Sequence, residues 1–448
     1  GRAVDSGLYN SYIGYEAGYS NTDGKNGIFM GFKSGYNNTL GDYNIFLGNY
    51  SGYNNTEGVS NVFIGDSTGK QNVTGSHNVF IGRESGKENT EGGSNTFIGN
   101  WSGRSNTTGI RNLFLGHQAG YFNTEGDLNI FLGAVSGAYN STGERNVFIG
   151  QASGFFSDTG SYNVFIGDRS GVNNRYGESN IFLGWQAGYN NYLGSNNVFI
   201  GRASGYSNVG ASHNVFIGDS SGLNNQSGAS NVFLGTKSGL SNNNGDYNVF
   251  LGNKAGYSNT SGHNNVFIGQ NAGYYSTGSN KLFIENSNAD NTQALIYGEF
   301  DNNMLTFNVD VGIGTTTPDK KLHVVGDARI TGNLYYGTGT NTYTKPDFVF
   351  EEGYSSHYSI LEVEQFIKHN NHLPWVTPAS EEEGGINLTR MTFETLEATE
   401  NVQMQVIELK KRNEKLTEQV EEYKSENNMI KKKLEMLEEE IEKIKKSQ

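Results

Sequence analysis

The chain of 448 residues contains 62 glycines, no cysteine and 34% hydrophobic residues, and its formal net charge is −14. This composition argues against one large globular core and favours a stack of small units. The absence of cysteine excludes disulfides and thiolate metal sites, and the acidity argues against nonspecific nucleic-acid binding, which needs clustered Lys and Arg.

Glycine recurs every 17 residues from Gly14 to Gly269, so sixteen consecutive segments share one backbone plan. A fixed period of this kind predicts a β-solenoid in which each segment forms one coil. We number each coil from position 1 to position 17, and residues 61–77 are a complete example. Position 1 is Asn in nearly every coil, positions 2 to 4 form an apolar strand, and position 5 is the recurring glycine. Position 8 is small, position 9 is a second glycine, and positions 12 and 15 are mostly Asn and Gly.

The strand of each coil is apolar on both faces. Side chains alternate along a strand, so Val62 and Ile64 point one way and Phe63 points the other. A lone solenoid would expose one of these faces along its whole length, which exceeds the apolar patches of soluble monomers. Either the phenylalanines meet other copies of the chain, or they fill the coil and the Val/Ile pairs meet the copies. In both cases we expect a homo-oligomer, and we assign its interface to the ladder Phe46, Phe63, Phe80, Phe97 and Phe114.

Asparagine and tyrosine form further columns. The asparagines at positions 1 and 12 are expected to hydrogen-bond along the axis rather than to bind a ligand. Tyrosine recurs at position 10, where an exposed aromatic stripe could stack on sugar rings. We favour the interpretation that these rings cover the turn below and pack edge to face. The stripe consists of Tyr36, Tyr53, Tyr121, Tyr189, Tyr206 and Tyr257.

The repeated motif of Asn, apolar strand, Gly and small residues resembles the head repeats of trimeric autotransporter adhesins. In that family a similar motif builds a trimeric, left-handed β-roll of the YadA type. The resemblance covers the repeat array, residues 1–285, and implies three chains that wind around a shared axis. The period of 17 residues is longer than those heads usually use. Sixteen coils about 4.8 Å apart would form a rod of roughly 75 to 80 Å.

Beyond the array, the 17-residue spacing shortens by one at residues 281–285. Alternating apolar and polar residues predict short strands in a β-rich neck over 286–344. A small α+β unit is expected over 345–385, with apolar residues at 348–350 and an amphipathic helix over 360–369. Residues 311–328 resemble a segment common in phage tail-fibre-like proteins and secreted bacterial repeat proteins. Residues 345–385 resemble the C-terminal region of tail-fibre-domain proteins. The Ser and Lys signature of self-cleaving tail-fibre domains is absent, so autocleavage is not expected. His369 and His372 could in principle hold a metal, but a surface capping role fits better.

Heptads of apolar residues from residue 399 predict a coiled-coil trimerisation helix over 386–448. Asn413 and Asn427 at a positions would fix the register at a cost in stability. Asn at a often accompanies dimers, whereas Ile at both a and d in the last heptad favours trimers. The helix alone leaves the number of chains open, and the resemblance indicates three. The predicted core is Val406, Leu409, Asn413, Leu416, Val420, Tyr423, Asn427, Ile430, Leu434, Leu437, Ile441 and Ile444.

The expected fold is therefore mainly β: a trimeric β-solenoid, a β-rich neck, a small α+β unit and a coiled coil. The chain contains no HExxH and no phosphate loop, and we expect no nucleophile elbow, so we expect no catalytic residue, cofactor or metal. No stretch reaches the roughly 18 apolar residues of a membrane helix.

We expect a fibrous structural or adhesive protein that is extracellular, on a cell surface or on the surface of a phage or injection particle. Its shaft would space and attach, with a cell-surface glycan or protein as receptor. The alternative is a subunit of a self-assembling extracellular filament. The array starts almost without a cap after Gly1, which would leave strand edges for end-to-end self-association, although truncation explains that start equally well.

Overall fold

The structure is a computed structural model that describes residues 7–331, 349–351, 353–355, 357–381 and 388–447. The chain divides into two compact units, Gly1–Asp327 and Ala328–Gln448.

Sixteen strands of three residues, β1 to β16, occupy the same place in successive coils of the first unit. Each pairs in parallel with the next, and equivalent positions lie side by side, as Phe63 does with Phe80. The prediction of a mainly β fold, a solenoid of 17-residue coils, is confirmed. The strands are Ser11–Ile13, Ile28–Met30, Ile45–Leu47, Val62–Ile64, Val79–Ile81, Thr96–Ile98, Leu113–Leu115, Ile130–Leu132, Val147–Ile149, Val164–Ile166, Ile181–Leu183, Val198–Ile200, Val215–Ile217, Val232–Leu234, Val249–Leu251 and Val266–Ile268.

The phenylalanines at position 3 fill the interior of the solenoid. From Phe29 to Phe267 each ring is at most 1% exposed, and successive ring centroids lie 4.7–5.0 Å apart. A side chain without exposed surface in a single chain cannot contact a second chain. The assignment of an oligomer interface to Phe46, Phe63, Phe80, Phe97 and Phe114 is therefore wrong, and of the two arrangements the sequence allows, the interior one holds.

The interior has room for one ring per coil because the wall opposite the strand is glycine. A Cβ atom on Gly69, at position 9, would lie 2.5 Å from the ring of Phe63 in the same coil. Gly69 also has a φ of 54°, a conformation that glycine adopts at little cost. The large ring therefore has to sit on the side of the strand that faces these glycines.

Two positions in each coil adopt the left-handed conformation without being glycine. They are positions 7 and 17, as at Ser67 with φ 54° and Ser60 with φ 57°. This conformation costs an L-residue roughly 1–2 kcal/mol. Backbone hydrogen bonds to the neighbouring coil hold it in place, with the Ser67 N–H donating to the Asn49 carbonyl at 2.8 Å.

The sheet continues past the last regular coil. Strand β17 (Lys281–Ile284) pairs in parallel with β16, and β18 (Ile296–Glu299) and β19 (Met304–Phe307) follow in antiparallel order. The boundary expected at residue 285 therefore lies inside one sheet of 19 strands. Strands β20 (Val311–Ile313) and β21 (Leu322–Val324) form a separate parallel pair.

The second unit contains helix α1 (Ile360–Asn370), a short 3-10 turn (Ala379–Glu381) and helix α2 (Leu388–Lys445). The expected helix over 360–369 is confirmed and is one residue longer. Its N-terminus has a capping box, in which the Glu362 N–H donates to the Ser359 hydroxyl and the Ser359 N–H donates to the Glu362 carboxylate. In the part of 345–385 that the structure describes there is no strand, since residues 349–350 form a helical turn and residue 348 lies outside the described residues.

The first five turns of α2 pack on the small unit that precedes them. Ala398 and Asn401 are buried, and the Gln405 side chain donates to the Tyr358 carbonyl at 2.9 Å. Glu394 accepts a hydrogen bond from the Thr377 N–H at 3.1 Å. The boundary expected at residue 385 therefore separates residues that share one small core.

Candidate interaction surfaces

The recurring asparagines form two buried hydrogen-bonded ladders. At position 12, the Asn72 side chain donates to Asn55 Oδ1 at 2.7 Å and to the Gly75 carbonyl at 2.8 Å. At position 1, Asn61 Oδ1 accepts from the Asn78 N–H at 2.9 Å. These side chains are 0% exposed, so the expected structural role is confirmed. Because the ladders use these side chains fully, they offer no recurring ligand site.

One coil interrupts the ladder at position 12, where Ser157 replaces Asn. The Asn140 Oδ1 atom, which would accept from an asparagine at this point, is buried without a hydrogen-bond partner, and so is the Ser157 hydroxyl. Buried polar atoms of this kind cost about 1–3 kcal/mol each. This coil is therefore a weak point in the shaft.

The tyrosines at position 10 are half-buried and stack on one another in runs. Tyr19, Tyr36 and Tyr53 are 5.0 and 5.1 Å apart with interplanar angles of 3° and 13°. The expected edge-to-face packing is wrong, because a repeat of identical coils places identical rings one above the other in the same orientation. Each ring face is covered by the next ring, so the run offers ring edges rather than open faces for a sugar.

The other members of the stripe follow the same rule with one exception. Tyr189 stacks on Tyr206 at 5.1 Å, and Tyr257 stacks on its neighbour in the next coil at 4.7 Å. Tyr121 instead meets Phe122 edge to face at 4.5 Å and lies beneath the Arg104 guanidinium at 5.6 Å. The stripe is thus several short stacks, not one continuous surface.

Charged residues fill part of the gap in the tyrosine column. Lys87 and Arg104 occupy position 10 there, and both bind the Glu84 carboxylate, at 3.3 and 3.0 Å. Partial burial raises the pKa of Glu84, but the hydrogen bonds from Arg104 and Lys87 outweigh it and hold that pKa below its ordinary value. In these two coils, partly buried salt bridges therefore take the place of the tyrosine stack.

The outer face is the solvent side of the sheet, made by positions 2 and 4 of β1 to β16. Of its 32 residues all are Val, Ile, Leu or Met except Ser11 and Thr96. Every one is half-buried or exposed in the single chain, and Leu115 and Leu234 are 45% and 47% exposed. Among the residues that the structure describes, nothing covers these two apolar columns.

A smaller exposed aromatic patch lies at position 11, away from the strand in each coil's sequence. Phe122, Tyr139 and Phe156 occupy this position in three consecutive coils and are 42%, 42% and 36% exposed. In the other coils position 11 is polar, apart from Tyr275. The sequence analysis missed this patch. Its signal in the sequence is three aromatic residues in consecutive coils, at a position that is Ser, Asn, Gln or Glu in nearly all the others.

Beyond Gln405, no residue in the described part of the chain buries the apolar residues of helix α2. The apolar heptad residues from Val406 to Ile444 are 47% to 64% exposed, and Asn413 and Asn427 are exposed as well. The heptad stripe predicted from the sequence is therefore present on a helix, and it faces solvent in the single chain.

A cavity of about 240 Å³ lies where the regular coils end, lined in part by Phe283, Tyr297 and Lys281. Beside it, the Lys281 ammonium binds Glu299 at 2.6 Å. Hydrogen bonds from Lys281, Tyr297 and Asn302 lower the pKa of Glu299 to about 2. The sequence did not indicate this junction, because its residues come from two strands and a loop.

The two histidines lie apart from any metal-binding group. His369 is in the last turn of α1, and His372 Nδ1 lies 2.8 Å from the Leu373 carbonyl. Among the described residues no three His, Cys, Asp or Glu side chains are grouped as metal ligands. No helix in the described part of the chain combines the length and the apolar character needed to cross a membrane.

Comparison with known proteins gives no relative: no protein-family model, no curated protein and no solved structure matches this chain.

Proposed function

We propose that the protein is a non-enzymatic, homotrimeric fibrous protein that spaces and attaches through a rigid repetitive shaft. The observation that carries this proposal is the heptad stripe of α2, which is apolar and exposed in the single chain. The proposal places the protein outside the cell, on a cell surface or on the surface of a phage or injection particle.

The energetics of α2 favour association. Ten apolar residues of the stripe are about half exposed, and burying the exposed half of each contributes about 1 kcal/mol. The gross gain is then about 10 kcal/mol per helix before the entropy of association is subtracted. A helix without packing partners is marginal in water, so partner helices supply the stabilisation that residues 406–445 do not receive from the described part of the chain.

Three copies are favoured by the end of the helix. Ile441 and Ile444 occupy a and d of the last heptad, a combination that shifts preference away from dimers. Asn413 and Asn427 lie at a positions, where they set the register of the helices and favour dimers. The likeness of the repeats to trimeric adhesin heads adds to the case for three.

The shaft suits a spacer and not an enzyme. Its recurring side chains are buried and have structural roles, because the phenylalanines fill the interior and the asparagines form hydrogen-bonded ladders. What varies from coil to coil lies on the surface, where weak contacts repeated on three chains add avidity. A glycan or a protein receptor fits this arrangement, and the net charge of −14 argues against nucleic acid.

Light scattering on the full chain tests the proposal. We expect a mass of about three times 48.9 kDa. Replacing Leu416 and Leu437 by Gln should dissociate the assembly, because both lie at d positions. Replacing Glu418 and Glu439 by Gln is the matched control, because both lie on the outer f positions and should leave the mass unchanged. A monomer at micromolar concentration would refute the proposal, and a stable dimer would refute the number three.

Negative-stain microscopy separates this proposal from the filament alternative. Discrete rods of one length support a trimeric fibre. Long filaments with an axial repeat would support end-to-end polymerisation instead. A glycan array on the purified oligomer would then test the receptor class.

A further inference from the structure

We propose that the outer face is the surface along which copies of the shaft pack side by side, parallel and in register. The inference rests on the proposed function in one respect only, that several copies associate. The outer face is a second site of contact between copies, and it is distant from α2 in the sequence.

The chemistry of the outer face excludes a role as an ordinary solvent surface. None of its 32 positions is charged, and Ser11 and Thr96 are its only polar residues. Single apolar residues scattered over a protein surface are normal, but columns of apolar residues along a whole sheet are not. The absence of charge over sixteen rungs indicates a face that is covered.

The size of the face matches a protein interface. Sixteen rungs about 4.8 Å apart and about 10 Å of strand give roughly 750 Å². The largest apolar patch on a typical monomer is about 300–600 Å², and a stable interface buries about 800 Å² on each partner. The outer face therefore lies in the range of interfaces.

The rim of the face is polar, as it is at most interfaces. Positions 6 and 17 flank the two apolar columns and carry exposed charges such as Asp66, Arg83 and Arg145. Along one rim Arg202 binds Asp219 of the next coil at 2.9 Å. Charges thus border the face without entering it.

The periodicity of the face identifies the partner as a second copy. Its side chains form ridges at the spacing of the coils, with equivalent residues paired rung by rung from β1 to β16. A partner whose own ridges had another spacing would drift out of register within a few rungs and leave voids. Another copy of this chain has the same spacing along the whole length.

Closed symmetry then fixes the register. In a cyclic oligomer each copy is related to the next by rotation about one axis, so identical residues lie at the same height. Identical residues facing one another tolerate apolar side chains and repel when charged. The uncharged outer face therefore suits packing against identical residues, and the closed symmetry sets the register.

The natural absence of cysteine allows a direct test. Leu115→Cys places a thiol on the outer face, at a coil distant from α2 in the chain. Glu125→Cys is the matched control, because it lies in the same coil at exposed position 14, away from the strand. The full-length variants are treated with a short bismaleimide cross-linker after light scattering has established their mass and circular dichroism their fold. We expect covalently linked chains in Leu115→Cys and at least tenfold less in Glu125→Cys.

The register is tested with a second cysteine on the same face. Leu234→Cys lies seven coils away, roughly 34 Å along the shaft. Alone it should cross-link as Leu115→Cys does. Co-expressed with differently tagged Leu115→Cys chains, it should form no mixed cross-link, and a mixed product would overturn the in-register arrangement.

The outcomes distinguish this inference from the proposed function. Assemblies of trimer mass in which Leu115→Cys and Leu234→Cys cross-link no better than Glu125→Cys would overturn the shaft interface and leave the helical assembly standing. Monomers would overturn both. Trimers with cross-links at both outer-face positions support both.

Discussion

Replacing Ser157 by Asn should close a gap in the buried ladder at position 12. At present Asn140 Oδ1 and the Ser157 hydroxyl are buried without a hydrogen-bond partner. An asparagine at 157 would donate to Asn140 Oδ1 and accept from the Asn174 side chain, as its equivalents do in the regular coils at 2.7–2.9 Å.

The magnitude follows from those bonds. Two buried hydrogen bonds contribute about 1 kcal/mol each, and satisfying the Asn140 oxygen removes a penalty of about 1–3 kcal/mol. Ordering the longer side chain subtracts about 1 kcal/mol. These terms sum to about 2–4 kcal/mol, so we expect the Ser157→Asn variant to be more stable by at least about 2 kcal/mol in this part of the shaft.

Native-state hydrogen exchange is the assay of choice, because the stability of a solenoid is a sum of local terms. A gain of about 2 kcal/mol should slow amide exchange in the coils around residue 157 by roughly 30-fold. The reverse change, Asn106→Ser, is the matched control. It removes the bonds that Asn106 makes with Asn89 at 2.7 Å and Asn123 at 2.9 Å, and it should accelerate exchange locally.

The reasoning would be refuted by an asymmetric result. If Asn106→Ser accelerates exchange but Ser157→Asn leaves it unchanged, the ladder matters and the gap at 157 does not. If neither changes exchange, the asparagine ladder does not stabilise the coils.

Gly69→Ala should lower the free energy of unfolding, measured by thermal unfolding, by about 2–4 kcal/mol, because the new Cβ would lie 2.5 Å from the Phe63 ring at a φ of 54°. The control is Gly210→Ala, whose Cβ would have no neighbouring atom within 4 Å and which should change the stability by no more than about 0.5 kcal/mol. Equal losses in the two variants would contradict this prediction. The pKa of the Glu299 carboxyl is lowered from 4.5 to about 2, so its ion pair stabilises the folded state fully above pH 4.5 and loses this effect as the pH falls through 2. The free energy of unfolding of Glu299→Gln, measured with denaturant, should therefore lack that part of the pH dependence. Identical pH profiles for the variant and the unchanged protein would contradict the prediction. Replacing Asn413 and Asn427 by Val should raise the thermal stability of α2 and broaden the range of oligomers seen by sedimentation equilibrium. A single species of unchanged size would instead show that these two residues do not set the number of chains.

Much of the fold could be predicted from the sequence because each coil repeats the same pattern of residues. The 17-residue period predicted the solenoid, and the Asn, Gly and small residues predicted turns and ladders at their observed positions. The capping serine before α1 and the heptads of α2 fixed those helices, since local hydrogen bonds and periodicity suffice for a helix.

The tertiary structure alone decided which face of the strand lies inside. Both faces are apolar, so alternation separates Phe63 from Val62 and Ile64 without saying which side is interior. The interior holds one large ring per coil because Gly69 leaves space for it across the coil, and that contact joins residues whose distance depends on how the turn closes. The stacking of the tyrosines and the left-handed residues at positions 7 and 17 depend in the same way on the neighbouring coil, which no single repeat encodes.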